Sequence, residues 1–277
     1  MTSQRREMTI SEKIEKIVPR PADTEPAKQI QMLLAEKWEK ITMTPGYAIK
    51  DIDEVFTEPS DEKIKIVCMS DTHSTIHAAN FEIPAGDIFI HAGDFTRYGL
   101  KSEVEEFNTW LGDLPHPHKV VIAGNHELCL DEETLEEAQE YMHQVGEVKP
   151  CSVEEVKTLL SNCTYLEDQA VDILGIRIYG SPWQPLFSHS AFNLPRGEDL
   201  LAKWRNIPSD TDILVTHAPP LGVRDAAIRS LETGVQGQPV RSGRAGCEDL
   251  LVEVVERVKP RFHIFGHIHE GRKTCRL

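Results

Sequence analysis

The chain of 277 residues lacks the features that would place it in a membrane or outside the cell. No apolar run approaches the roughly 20 residues that a membrane-spanning helix needs. The first residues, 1–13, are polar and contain no apolar core of a secretion signal. The six cysteines show no C-x-x-C spacing, so they predict neither a thiolate metal site nor a redox pair. We therefore expect a reduced, cytoplasmic protein with no membrane partner.

Positive charge is also scarce, because 30 Lys and Arg residues stand against 45 Asp and Glu residues, for a formal net charge of −15. Such a chain is not expected to bind nucleic acid or anionic membranes non-specifically. The sequence also has no G-x-x-x-x-G-K-[ST] loop and no G-x-G-x-x-G after an apolar strand. These absences exclude a P-loop NTPase and a dinucleotide-dependent dehydrogenase. Any anionic ligand must therefore be attracted by a local group.

Residues 1–62 differ from the rest of the chain, since they are polar and contain four prolines. Within them, Thr24 can cap a helix whose apolar residues recur at three- and four-residue steps up to Ile41. We predict that residues 1–62 form an N-terminal extension with one amphipathic helix. Residues 63–277 then form the main domain.

From residue 63 onward, short runs rich in β-branched residues alternate with segments of helical periodicity. The predicted strands are 63–69, 87–92, 119–123, 176–180, 212–216 and 261–265. The predicted helices are 102–111, 131–143, 152–161, 197–205 and 246–258. This alternation is typical of an α/β domain.

Five of the predicted strands are followed at once by Asp, Asn or His. The residues concerned are Asp71 and His73, Asp94, Asn125 and His126, His217, and His267 and His269. In open α/β sheets, ligands bind outside the carboxyl ends of the strands. Carboxylate, amide and imidazole groups together suit Mn²⁺, Fe or Zn²⁺. The pattern therefore predicts a metal site at this end of the sheets.

The motif series resembles the signature of the calcineurin-like metallophosphoesterase superfamily. Its parts are D-x-H (71–73), G-D (93–94), G-N-H-E (124–127), a single histidine (217) and G-H-x-H (266–269). Within that superfamily, stretches such as FNTWLGDLP (107–115) and DILVTHAPPLG (212–222) are similar to the metallophosphoesterase-domain-containing, or fetal-brain protein 239, family. The resemblance implies a four-layer α/β/β/α sandwich with a binuclear metal centre. It also implies phosphodiesterase activity, with 2′,3′-cyclic nucleotides among the substrates.

The same resemblance implies a role for each motif residue. Asp71, His73 and His269 would hold one metal ion, Asn125, His217 and His267 the other, and Asp94 would bridge both. A hydroxide bridging the two ions would attack the phosphorus, and His126 would act as general acid on the leaving oxygen. Asn125 and His126 would also contact the substrate. We expect Mn²⁺, with Fe or Zn²⁺ as alternatives.

Several alternatives stay open on the sequence. The same ligands would serve a phosphomonoesterase or a nuclease, and a weakly active nucleotide-binding scaffold protein is the remaining class. A protein phosphatase is disfavoured, because GDFTRYG (93–99) departs from the G-D-x-x-D-R-G pattern of those enzymes and puts its arginine out of register. His91 either supports the site or packs, and Glu127 either orients His126 or pairs on the surface. Trp183, Phe192 and Asn193 form either a wall for a nucleotide base or part of the core.

Only eight residues follow His269, whereas the families that this chain resembles continue with further strands. The segment EGRKTCRL has no strand-like alternation. We expect the sandwich to lack its last C-terminal strands, and to be less stable and less active than a form that has them.

Overall fold

The computed structural model describes residues 50–51, 63–76, 82–145, 151–187, 190–227, 243–269 and 275–276. The helix predicted within residues 24–41 lies outside this part of the chain. No helix among the described residues is long and apolar enough to cross a membrane.

The first sheet is fully parallel and has four strands. They are β2 (Ile66–Met69), β3 (Ile88–Ala92), β4 (His118–Ile122) and β5 (Thr164–Tyr165), in the spatial order β2-β3-β4-β5. Helices α1 (Lys101–Asp113), α2 (Glu132–Val145) and α3 (Val153–Leu159) lie between β3 and β5 along the chain, with a 3₁₀ turn at Leu128–Leu130. Helix α3 begins with a capping box in which Ser152 accepts a hydrogen bond from the Glu155 amide.

The second sheet is mixed and also has four strands. Strands β6 (Gln169–Ile173) and β7 (Ile176–Ser181) form an antiparallel hairpin, and β7, β10 (Ile213–Thr216) and β13 (Phe262–Ile264) run parallel, in the spatial order β13-β10-β7-β6. Helix α4 (Glu198–Arg205) precedes β10, and α5 (Glu248–Val252) continues as a π-helical segment, Glu253–Val258, before β13. Two further pairs of two-residue strands lie outside these sheets. Strand β8 (Gln184–Pro185) pairs with β9 (Asn193–Leu194), and β11 (Ala226–Ala227) pairs with β12 (Gly243–Arg244).

Alternation along the strands builds four layers from these two sheets. Ile88, Ile90 and Ile122 of the first sheet face Ile178 and Ile213 of the second, and together they form a buried layer between the sheets. The intervening residues point the other way. Phe89 and Val121 pack with the helices on the outside of the first sheet, and Tyr179 and Leu214 pack with α4 and α5 outside the second. The predicted α/β/β/α sandwich is confirmed.

Strand β13 is the outer strand of the second sheet among the described residues. The segment after His269 differs from the expectation in one respect. Cys275–Arg276 forms a two-residue strand, β14, that pairs antiparallel with β1 (Lys50–Asp51). A strand of two residues is too short to show alternation, so the sequence pattern could not reveal it.

Candidate metal centre

The two sheets place the carboxyl ends of five strands along one common edge. Asp71 and His73 follow β2, Asp94 follows β3, Asn125 and His126 follow β4, His217 follows β10, and His267 and His269 follow β13. Seven of these side chains form three groups whose potential ligand atoms lie within 4.8 Å of one another. The groups are Asp71, His73 and His269; His73, Asp94 and His126; and Asp94, His217 and His267. Asn125 contacts two histidines of the third group, so all eight residues singled out from the sequence meet at one place.

One side of the cluster consists of Asp71, His73 and His269. The Nε2 atoms of His73 and His269 lie 3.1 Å apart, and Nε2 of His269 lies 3.4 Å from Oδ1 of Asp71. His269 is the most exposed member, so this side of the cluster faces solvent. Two imidazole nitrogens directed at each other beside a carboxylate form a set of lone pairs suited to a shared cation.

The other side consists of Asn125, His217 and His267. Oδ1 of Asn125 lies 3.0 Å from Nε2 of His217 and 2.8 Å from Nδ1 of His267. Nδ1 of His217 donates to the carbonyl oxygen of Ala92, at 2.9 Å. This bond fixes the imidazole tautomer and directs Nε2 into the site, as in many metal-binding histidines.

Asp94 lies between the two sides. One carboxylate oxygen is 3.7 Å from Nε2 of His73, and the other is 3.3 Å from Nε2 of His217. Oδ1 also accepts the backbone N–H of His126, at 2.9 Å. A buried carboxylate that reaches both groups occupies the position that a bridge between two ions requires.

The electrostatics of the cluster favour a cation. Burial alone would raise the pKa of Asp71, but His269, His217 and Ser70 outweigh it and lower that pKa to about 2. Burial alone would lower the pKa of His217, but Asp94 outweighs it and raises that pKa to about 9. A carboxylate whose pKa is lowered by imidazoles, beside an imidazole whose pKa is raised by a carboxylate, is the pattern of a site in which opposite charges stabilise each other.

The backbone around the cluster is held in an unusual conformation. Asp71, His73, Asp94 and His267 have positive φ angles of 54°, 43°, 56° and 71°. Such angles are uncommon for residues other than glycine, cost free energy and concentrate at functional sites. A Cβ atom at Gly124 would collide with the Asp94 carboxylate, and one at Gly266 would collide with that of Asp71. The strand ends are therefore shaped to bring ligand side chains together.

Comparison with known proteins agrees with this geometry. The family model for calcineurin-like phosphoesterases matches residues 64–271, which is most of the chain. The chain belongs to the calcineurin-like phosphoesterase family.

Metallophosphoesterase domain-containing protein 1 of Homo sapiens and that of Mus musculus are each 50% identical to this chain over 211 residues. The match covers 75% of this chain and 61% of each relative, so it spans less than two thirds of their length. A UPF0046 protein of Caenorhabditis elegans is 42% identical over 210 residues, which are 76% of this chain and 70% of that protein. Among solved structures, TT1561 of Thermus thermophilus has a TM-score of 0.41 and 13% identity, covering 73% of this chain and 81% of that one. Members of this family use divalent metals in a binuclear centre.

His126 belongs to the candidate metal site as a member of the group with His73 and Asp94. Its Nδ1 donates to the carbonyl oxygen of Arg97 at 2.7 Å, and its ring lies edge-on to that of His73, with centroids 4.5 Å apart. The carbonyl fixes the ring and leaves Nε2 available to a ligand. The Arg97 guanidinium instead lies over the Tyr98 ring, 5.3 Å from its centroid.

Glu127 does not orient the His126 ring, which the Arg97 carbonyl holds. Its buried carboxylate accepts the backbone N–H groups of Asp94, Thr96 and Gly124, together with the Thr96 hydroxyl. It therefore joins the loop after β3 to the loop after β4. The G-N-H-E motif drew attention to Glu127, but most of its hydrogen-bond partners are backbone N–H groups, which a sequence pattern cannot identify.

The aromatic residues considered as a base wall have other partners. Phe192 is 1% exposed and packs in the core, with its ring edge-on to Trp183. The Trp183 indole N–H donates to Asp168, and the Lys203 ammonium lies over its ring. Phe187 places its ring 5.9 Å from that of His267, and the sequence carries no signal for it because it lies outside the motifs.

Proposed function

We propose that this chain is a metal-dependent phosphodiesterase whose substrates include 2′,3′-cyclic nucleotides. The observation that carries the proposal is the set of three overlapping ligand groups, two of which share Asp94. A site with two ion positions beside one bridging carboxylate is suited to in-line displacement at phosphorus.

In this proposal, Asp71, His73 and His269 would hold one ion, Asn125, His217 and His267 would hold the other, and Asp94 would serve both. The ligand set contains oxygen and nitrogen but no thiolate, which favours Mn²⁺ and accommodates Fe or Zn²⁺. When bound, the ions supply positive charge that two aspartates do not cancel, and they lower the pKa of bound water. The phosphate is thereby attracted locally to a protein whose net charge is −15.

His126 acts as general acid in the proposed reaction. Since Nδ1 is committed to the Arg97 carbonyl, only Nε2 can pass a proton to the leaving oxygen. A positioned acid of this kind contributes roughly 10²–10⁴ in rate. Asn125 lies next to His126 in the chain and completes the proposed substrate contacts.

The arrangement around Arg97 supports a diester substrate over a monoester. A phosphate monoester carries one more negative charge than a diester, and phosphatases bind that charge with added cations. Here the Arg97 guanidinium lies over the Tyr98 ring, and the contact of Arg97 with the site is made by its carbonyl oxygen, which accepts a hydrogen bond from His126.

A cytoplasmic location agrees with the five cysteines within the described residues that form no disulfide bond. This placement is part of the proposal.

The test is turnover of a substrate panel by the purified chain with Mn²⁺. The panel contains bis-p-nitrophenyl phosphate, p-nitrophenyl phosphate and adenosine 2′,3′-cyclic phosphate. We expect hydrolysis of both diesters, complete loss in Asp94→Ala, and normal rates in the control Asp113→Ala, whose side chain is exposed at the end of α1. Circular dichroism checks that Asp94→Ala is folded.

Normal turnover by Asp94→Ala would refute the two-metal assignment. Preference for the monoester would indicate a phosphomonoesterase, and nucleotide binding without turnover would indicate a scaffold protein.

A further inference from the structure

Phe187 is an aromatic side chain that lies open to solvent beside the metal cluster. It is 54% exposed, and its ring centroid lies 5.9 Å from that of His267, with the two rings nearly perpendicular. Exposing a phenyl ring to water costs free energy unless a ligand covers it. The two rings are close enough to interact, and more than half of the Phe187 side chain stays open to solvent.

Hydrogen bonds hold the Phe187 backbone. The Phe187 carbonyl oxygen accepts the Ser190 hydroxyl at 2.6 Å and the Asn193 side-chain amide at 3.1 Å. The Phe187 N–H donates to Oδ1 of Asn193, which also accepts from the Gln184 side chain at 3.0 Å. The fully buried Gln184 ties this network to β8. The Phe187 backbone is thus held next to the site by a polar network, so little backbone ordering is needed when a ligand binds.

We propose that Phe187 is a specificity-determining residue that contacts the aromatic base of a nucleotide ester bound at the metal cluster. The inference rests on the proposed function for the location of the phosphate. A base attached one sugar away from that phosphate is a planar apolar group, and such groups stack on aromatic side chains regardless of base identity. Phe192 and Trp183 are less suited to this role, because Phe192 is buried and the Lys203 ammonium lies over the Trp183 ring.

The chain offers a matched control in the neighbouring residue. Leu186 is also apolar and is 65% exposed, but it has no aromatic ring that could stack on a base. Leu186→Ala removes a similar apolar area from the same loop, and it separates a contact with the base from a general effect of the loop.

The first test is equilibrium binding by calorimetry to the Mn²⁺-loaded chain, which needs no turnover. The probes are adenosine 3′-monophosphate and inorganic phosphate. We expect Phe187→Ala to weaken nucleotide binding about tenfold, a conservative value for one base–aromatic contact. Phosphate binding and the metal content of the variant should not change. Phe187→Trp should bind the nucleotide at least as tightly as the original chain, and Leu186→Ala should match it.

The second test compares kcat and KM for adenosine 2′,3′-cyclic phosphate and for glycerol 1,2-cyclic phosphate, which has no base. Phe187→Ala should raise KM about tenfold for the nucleotide and leave the base-free ester unaffected. Equal effects on both esters, or unchanged nucleotide binding in Phe187→Ala, would overturn the inference. If no ester is hydrolysed but the Phe187-dependent difference in binding is present, the inference on Phe187 stands and the proposed activity fails. If esters are hydrolysed without regard to the base, the activity stands and the inference fails.

Discussion

The buried carboxylate of Glu127 offers a perturbation whose effect follows from its hydrogen bonds. Oε2 accepts the N–H groups of Asp94 and Gly124, and Oε1 accepts the N–H and the hydroxyl of Thr96. In Glu127→Gln, the new NH₂ group must replace one of these oxygens. The better orientation directs it toward Thr96, because that hydroxyl can rotate to accept it, and the bonds to Asp94 and Gly124 are then kept.

One backbone N–H, that of Thr96, is then left without an acceptor in a buried environment. An orphaned buried donor costs about 1–3 kcal/mol, so Glu127→Gln should destabilise the fold by that amount. Glu127→Ala removes all the acceptors and leaves a cavity, and should cost clearly more. Because the loops of Asp94 and Asn125 are joined through this carboxylate, both variants should also bind Mn²⁺ more weakly.

The measurements are urea unfolding of the metal-free chain and Mn²⁺ titration by calorimetry. Glu105→Gln, at an exposed position of α1, is the matched control and should change neither quantity. If Glu127→Gln unfolds within about 0.5 kcal/mol of the original chain, the level of an ordinary surface substitution, and binds Mn²⁺ equally well, the carboxylate does not hold the two loops together.

Three further predictions address ligand number, pH and loop anchoring. His267→Gly removes one proposed ligand together with its bond to Asn125, so one ion should bind more than about tenfold more weakly, as seen by metal titration and turnover. Burial lowers the pKa of His91 to about 3 in the folded chain, from 6.5 in the unfolded chain. Below pH 6.5, His91 therefore binds a proton in the unfolded chain but not in the folded chain. Stability should therefore fall with decreasing pH from 6.5, by up to about 1.4 kcal/mol per pH unit, in urea titrations of the metal-free chain. His91→Gln should remove this part of the slope, and His143→Gln, at an exposed position, should not. The Asp225 carboxylate is fully buried and binds Arg244 and the backbone amides of Gly222 and Gly246. Asp225→Ala removes these bonds and should lower the free energy of unfolding by about 3 kcal/mol, seen as a lower melting temperature. An unchanged melting temperature would contradict this prediction.

The larger elements were predictable because burial on a pleated sheet imposes an alternating pattern. The strand predicted at 87–92 is Ile88–Ala92, and the helix predicted at 197–205 is Glu198–Arg205. The hairpin strand Gln169–Ile173 was missed, because most of its residues are exposed or only partly buried, so its sequence shows no apolar run.

The location of the candidate site was also predictable, since motif residues directly after strands must lie at the strand ends. The supporting contacts were not. Glu127 acts on backbone amides, and the Arg97 carbonyl that holds His126 belongs to a residue whose side chain suggested a different role. Phe187 reaches the cluster through a loop geometry set by Asn193, which no local pattern encodes.

The central claim is that two divalent ions share one site built from these strand ends. Its most direct test is the number of Mn²⁺ ions bound per folded chain at saturation, measured by equilibrium dialysis with elemental analysis. The account predicts two ions for the original chain and the loss of both tight sites in Asp94→Ala. A single ion in the original chain, or two tightly bound ions in Asp94→Ala, would contradict it.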